Sequence, residues 1–217
     1  MAESHGKIYL YERILYMSFG LLASFIVFAI IISFSIKKQA RRKNINEADF
    51  WTKESQANSV RRKSLDGLRY IHIPLEAFPT HLLNDDPDVM DCINILENLT
   101  AQKIVNLTGW SNTELKLEYG TANITALSEY DQNYTLLVRT LQKWADALLE
   151  AGHGAEASVL MQFAVSTQTD VSRTYYKLAD YWISRGEAFR LDQLIHAAEA
   201  LRSSNRDSIL RHLRELL

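Results

Sequence analysis

The sequence predicts a mainly α-helical protein: a single N-terminal transmembrane helix, then a helical solenoid, with room for one short extended or β segment. Three observations lead there. Residues 14–36 (ILYMSFGLLASFIVFAIIISFSI) run without a charge. From Asp85 onward apolar residues recur at helical spacing. Gly152 and Gly186 lie 34 residues apart with matching neighbours on both sides, the mark of an internal repeat.

The apolar run comes first. About 20 apolar helical residues cross a bilayer core, and at ~1.5 Å rise per residue this run reaches roughly 34 Å. It is too long for a signal-peptide core of about 7–15 residues. It also ends in Ser35-Ile36-Lys37-Lys38, with no small-residue cleavage pattern. Before it, Lys7 and Arg13 stand beside Glu3 and Glu12; after it come Lys37, Lys38, Arg41, Arg42 and Lys43. The positive-inside bias places residues 1–13 outside and the C-terminal part in the cytoplasm, a single-pass protein of the cell membrane. The same five cations are candidates for contact with the anionic headgroups of the bilayer. Gly20-x-x-x-Ser24 and Ala29-x-x-x-Ser33 have the small-residue spacing that offers homodimerisation through the span.

Residues 37–68 read as a basic juxtamembrane segment and linker. A second basic cluster, Arg61-Arg62-Lys63, precedes Ser64; such a string has the form of a kinase site or a lipid contact. Residues 69–130 read as a helical region that packs on the repeats. Its opening, Arg69–Leu75 (RYIHIPL), alternates like a strand, stops at Pro74, and is expected to lie extended along the domain. A helix over 85–106 follows, its start marked by Asp85-Asp86-Pro87. Gly109 and Gly120 punctuate the next stretch, and a shorter helix is expected over 122–130.

Charge and cysteine bound the function. Residues 1–43 hold seven basic and two acidic residues, leaving 17 basic against 24 acidic in residues 44–217. An acidic domain lacks the basic face that neutralises phosphates, so nucleic acid is excluded as a partner. Cys92 stands alone, which rules out an intrachain disulfide and a cysteine zinc site. Four N-x-T sequons, at Asn98, Asn106, Asn123 and Asn133, would be glycan acceptors in a luminal domain. The charge bias argues against that compartment, and Asn and Thr also recur at caps and turns.

Residues 131–217 hold the repeat. Aligned on Gly152 and Gly186, Leu141 falls with Tyr175, Trp144 with Leu178, Ala145 with Ala179, and Leu148 with Trp182. In the following helix Ala157 meets Leu191, Met161 meets Ile195, and Ala164 meets Ala198. Each unit is then a helix, a glycine turn and a second helix, with small residues where two helices approach closely. Residues 206–217 form a last amphipathic helix that closes the array, because a terminal unit otherwise leaves an apolar face bare.

The pattern resembles the tetratricopeptide repeat, whose period is 34. The large–x–x–large–small opening, the turn glycine and the later small residue are present in both units. Leu191 departs from the small residue the family uses there, and Thr169 and Ser203 stand where a unit often closes with proline. The whole layout resembles membrane-tethered repeat proteins of bacteria. The resemblance implies an adaptor or scaffold that holds a protein partner at the cytoplasmic face of a membrane. It places the partner groove on the first helix of each unit, at Arg139, Lys143, Asp146, Arg173, Tyr176, Lys177 and Asp180. Four cations there suit an acidic or phosphorylated segment; ordinary i,i+3 surface pairing of Lys143 with Asp146 and of Lys177 with Asp180 is the simpler use. A structural subunit of a membrane complex, or a small regulator or enzyme with a site in residues 69–130, are the alternatives. No metal-ligand spacing, nucleophile motif, phosphate loop or cofactor fingerprint is present in the sequence, so no catalytic, metal or cofactor residue is assigned.

Overall fold

The computed structural model describes residues 49–217, which divide into two units between Gln56 and Ala57; residues 49–56 belong to the first and are helical. The second unit runs through α1 (Pro87–Thr100), α2 (Asn112–Tyr119), α3 (Ile124–Glu150), α4 (Gly154–Ser166), α5 (Ser172–Ser184), α6 (Leu191–Glu199) and α7 (Arg206–Glu215). Short 3-10 turns occupy Leu75–Ala77, Thr121–Asn123 and Ala188–Arg190. Residues 57–68, expected as linker, are part of this unit.

The protein is mainly helical, and the expected fold class is corrected in its membrane part. Among the described residues no helix is long and apolar enough to cross a membrane. The 27-residue α3 has the length, but Glu129, Asp131, Arg139, Lys143, Asp146 and Glu150 make it an amphipathic rod with one buried stripe. The run 14–36, from which a span was expected, lies outside the described residues, as do the lipid-contact candidates Lys37, Lys38, Arg41, Arg42 and Lys43. The β element is corrected too, since no strand forms among the described residues. Arg69–Leu75 lies extended instead: Ile71 N–H donates to Ile104 O at 2.9 Å, and Ile71, Ile73 and Leu75 pack on the core.

The helix expected over 122–130 and the first helix of the first unit fuse into α3. Neither Gly nor Pro falls between residues 124 and 150, and Leu127, Tyr134, Leu137, Leu141, Trp144 and Leu148 keep one buried stripe throughout. A stripe at that spacing gives the chain no reason to break. α1 lays Val89, Cys92, Ile93 and Leu96 into the same core, beside α3. Phe78 meets Trp144 and Phe163 edge-on, with ring centroids 6.1 and 5.3 Å away.

The 34-residue spacing reappears as repeated geometry. After α3, Gly152 takes φ +83° and His153 N–H reaches back to Leu148 O at 2.8 Å. After α5, Gly186 takes φ +75° and Glu187 N–H reaches back to Trp182 O at 2.8 Å. Both are the six-residue closure of a Schellman motif, where a positive φ suits glycine. The second helices end alike as well. Thr169 Oγ1 accepts Val171 N–H at 3.2 Å, and Ser203 Oγ accepts Asn205 N–H at 3.1 Å. A hydroxyl turn thus does what a closing proline would do.

α7 continues the register. It starts 34 residues after α5, so buried Ile209 and Leu213 fall on Tyr175 and Ala179, which fall on Leu141 and Ala145. It is the first helix of a third unit, and it packs on α5 and α6. Its outer face carries exposed Asp207, Arg211, Arg214 and Glu215, the polar ending an array of this kind requires.

Residues 57–130 are fixed by single polar side chains. Asn123 is 1% exposed; its Oδ1 accepts from Arg62 Nε at 3.1 Å, and its Nδ2 donates to Lys63 O and Tyr119 O, each at 2.7 Å. Asn106 Nδ2 reaches Tyr134 Oη at 3.0 Å and the carbonyls of Thr167 and Gln168 at 2.9 and 3.0 Å. These are two of the four sequon asparagines, and both side-chain amides are committed to the fold.

Candidate functional site

The repeat decides which side chains share a face. Counting in steps of 34, Arg139, Arg173 and Asp207 are equivalent, as are Lys143, Lys177 and Arg211, and Asp146, Asp180 and Arg214. The first member of each set is on α3, the second on α5 and the third on α7. Equivalent positions of stacked first helices form ranks across the array.

The cations of these ranks are used differently from either expectation. Asp146 is the hub. It accepts from Lys177 Nζ at 2.6 Å and pairs with Arg173 at 3.2 Å, both across the α3–α5 boundary. Gln142 Nε2 donates to it at 2.8 Å, and Gln142 Oε1 accepts from Thr174 Oγ1 at 2.6 Å. The Asp146 side chain is only 17% exposed, so this is a half-sheltered network. Hydrogen bonds to charged groups in such a setting contribute about 1.5–3 kcal/mol each. Lys143 pairs instead with Asp88 of α1 at 2.7 Å, and that hydrogen bond raises its pKa. Both lysines therefore ignore the aspartate three residues on and tie their helix to the preceding one.

Three of the four groove cations thus already hold carboxylates of their own domain. Arg139 and Asp180 are exposed and make no ion pair with another described residue. Tyr176 does not stand free in a groove: its ring lies 3.9 Å from that of His212 on α7, centroid to centroid, and its hydroxyl is 3.4 Å from Ser208 Oγ.

The remaining sequence candidates stay apart. Cys92 is 1% exposed, and burial pushes its thiol pKa up, so it fills space rather than reacts. His196 Nδ1 sits 3.4 Å from Glu199 on an open helix face, and Glu199 also takes Arg214 at 3.1 Å. Among the described residues no group of three His, Cys, Asp or Glu side chains is close enough to hold a metal.

Sequence reasoning missed a second feature, a half-open recess of about 600 Å³. Residues 67–71 and 105–110 form one wall, and the ends of α4 and α6 with Leu201 and Arg202 form the other. Arg202 lays its guanidinium over Trp110, 5.4 Å from the ring centre. The Gly109 backbone comes so close that a Cβ there would lie 2.5 Å from Arg202 O. Tyr134, beneath this region, is pushed up to about 12 by burial. Nothing periodic in the sequence points to the recess, because its walls come from five separate stretches. Asp88 and the Gln142–Thr174 pair were also missed, although Gln142 and Thr174 lie on the rank that the repeat defines.

Comparison with family models, curated proteins and solved structures found no match for this chain.

Proposed function

We propose that residues 57–217 form a protein-binding domain, an adaptor that holds an extended segment of a partner across the first helices α3, α5 and α7. The observation that carries this reading is the Asp146 hub. It locks α3 and α5 side by side through Lys177 and Arg173, so the face between them is set before any partner arrives. A pre-ordered face loses less conformational freedom on binding. The face is polar and solvated, and its side chains are not needed to fill the core.

The internal pairing narrows the partner. Lys143, Arg173 and Lys177 are neutralised in place, which leaves Arg139 as the cation and Asp180 as the anion on offer. The partner segment then carries an acidic or phosphorylated residue toward Arg139 and a basic one toward Asp180. The test is crosslinking and affinity capture of the full chain from its own cells, beside an Arg139→Glu/Asp180→Lys double variant. Both changes avoid the Asp146 network. A partner captured by the native chain and lost by the variant supports the face; retention of every partner refutes it. Retention coupled to loss on Trp110→Ala would move the contact to the recess.

A further inference from the structure

The basic run Arg61-Arg62-Lys63 leads into Ser64 and Leu65, and the partner face makes no use of it. We propose that Ser64 is the phosphoacceptor of a basophilic protein kinase, and that its phosphorylation releases residues 57–66 from the junction of α2 and α3.

The site has the features such a transfer needs. Cations directly before the acceptor pair with an acidic substrate cleft, and an apolar residue directly after it gives a second anchor. Arg61, Arg62, Lys63 and Ser64 are all exposed, in irregular chain that a kinase can bind extended. In the reaction Ser64 Oγ attacks the terminal phosphorus of a nucleoside triphosphate. The Oγ–P bond forms as the bridging P–O bond breaks. The hydroxyl proton passes to the kinase's base, and the nucleoside diphosphate leaves.

The consequence follows from what the same residues hold now. Ser64 Oγ donates to Asp66 Oδ2 at 2.6 Å and accepts Asp66 N–H at 3.1 Å. A phosphoserine has no hydroxyl proton to give, and it sets about two negative charges beside the Asp66 carboxylate, so that turn opens. Arg62 and Lys63 meanwhile spend their side chains on neutral oxygens: Arg62 on Asn123 Oδ1 at 3.1 Å, Lys63 on Leu117 O at 3.4 Å. A phosphate next to them is the stronger acceptor. Once Arg62 turns to it, buried Asn123 loses the donor to its Oδ1. The Asn123–Lys63 bond and the Lys63 N–H bond to Tyr119 O then weaken with it.

The experiment uses the full chain, ATP and a purified kinase of that specificity, with the site mapped by mass spectrometry and backbone hydrogen exchange measured before and after. The expected result is about one phosphate per chain, on Ser64, retained in Ser64→Thr and lost in Ser64→Ala and in Arg61→Ala/Arg62→Ala. Exchange in residues 57–66 and 119–124 is expected to quicken by about tenfold or more, with α5 unchanged. Absence of label on Ser64 overturns the site, as does full labelling of the arginine variant. Labelling that leaves exchange at 57–66 unchanged overturns the release.

Discussion

In residues 138–217 the chain solves one packing problem repeatedly, whereas in residues 57–123 most contacts are made once. The repeats use an apolar stripe, a glycine turn and a hydroxyl turn, and then use them again 34 residues later. The N-terminal stretch relies on individual groups, Asn123 and Asn106 above all, each satisfying several backbone or side-chain partners. Repetition spreads stability over many equivalent apolar contacts. The unrepeated half concentrates it in a few polar ones, where losing one partner leaves buried groups unsatisfied.

Four substitutions test that contrast, from the largest effect down. Trp144→Ala, at a fully buried site on α3, is expected to cost about 3–5 kcal/mol in chemical denaturation. A loss under about 1 kcal/mol would mean that the repeat core is not the main source of stability. Next comes a matched glycine pair. Gly109 and Gly152 share φ +83°, but a Cβ on Gly109 meets Arg202 O at 2.5 Å while one on Gly152 meets nothing within 4 Å. Gly152→Ala should cost about 1–2 kcal/mol for its backbone conformation alone. Gly109→Ala should exceed it by a further 1–3 kcal/mol or so, the usual range for overpacking. Equal melting temperatures would show that the Gly109–Arg202 approach is not tight.

Asn123→Ala is expected to cost about 1–3 kcal/mol and to raise hydrogen exchange in residues 57–66, leaving α5 protected. If α5 loosened equally, the two halves would be one cooperative block. The smallest effect concerns Asp131, whose carboxyl pKa is raised, first by burial, against the opposing Leu107 N–H bond at 3.1 Å. A raised carboxyl pKa means that the folded state holds its proton longer than the unfolded one. Stability then falls as pH rises from the ordinary carboxylate range through the folded value. Asp131→Asn keeps an acceptor for Leu107 N–H and should remove that slope. A pH–stability profile identical to the native one would refute the assignment.

The sequence carried the repeated half well. Leu141, Trp144, Ala145 and Leu148, with Tyr175, Leu178, Ala179 and Trp182, were matched by spacing and are all buried. Ile209 and Leu213 were legible by the same count, yet α7 was expected as a separate closing helix rather than as the start of a third unit. The break before residue 131 was expected because local turn signals at Gly120 suggested short pieces, and the continuous stripe of α3 overrode them. The groove was legible only as a set of positions. Which carboxylate each lysine takes depends on how neighbouring helices stack, and Asp88 lies 55 residues from Lys143 in the chain. The recess and the Asn123 contacts depend on long-range approach with no period, so spacing could not reveal them.

The ending of α7 has a consequence for how the domain can change size. Its inner side obeys the common register and its outer side is charged, so the terminal helix is interchangeable with the one before it in geometry but not in solvation. Duplicating residues 172–205 in place would insert a complete hairpin and hand the same cap to a longer stack. Growth by whole 34-residue modules is therefore open to this chain at its C-terminal end, while its N-terminal end, tied by one-off contacts, admits no such addition.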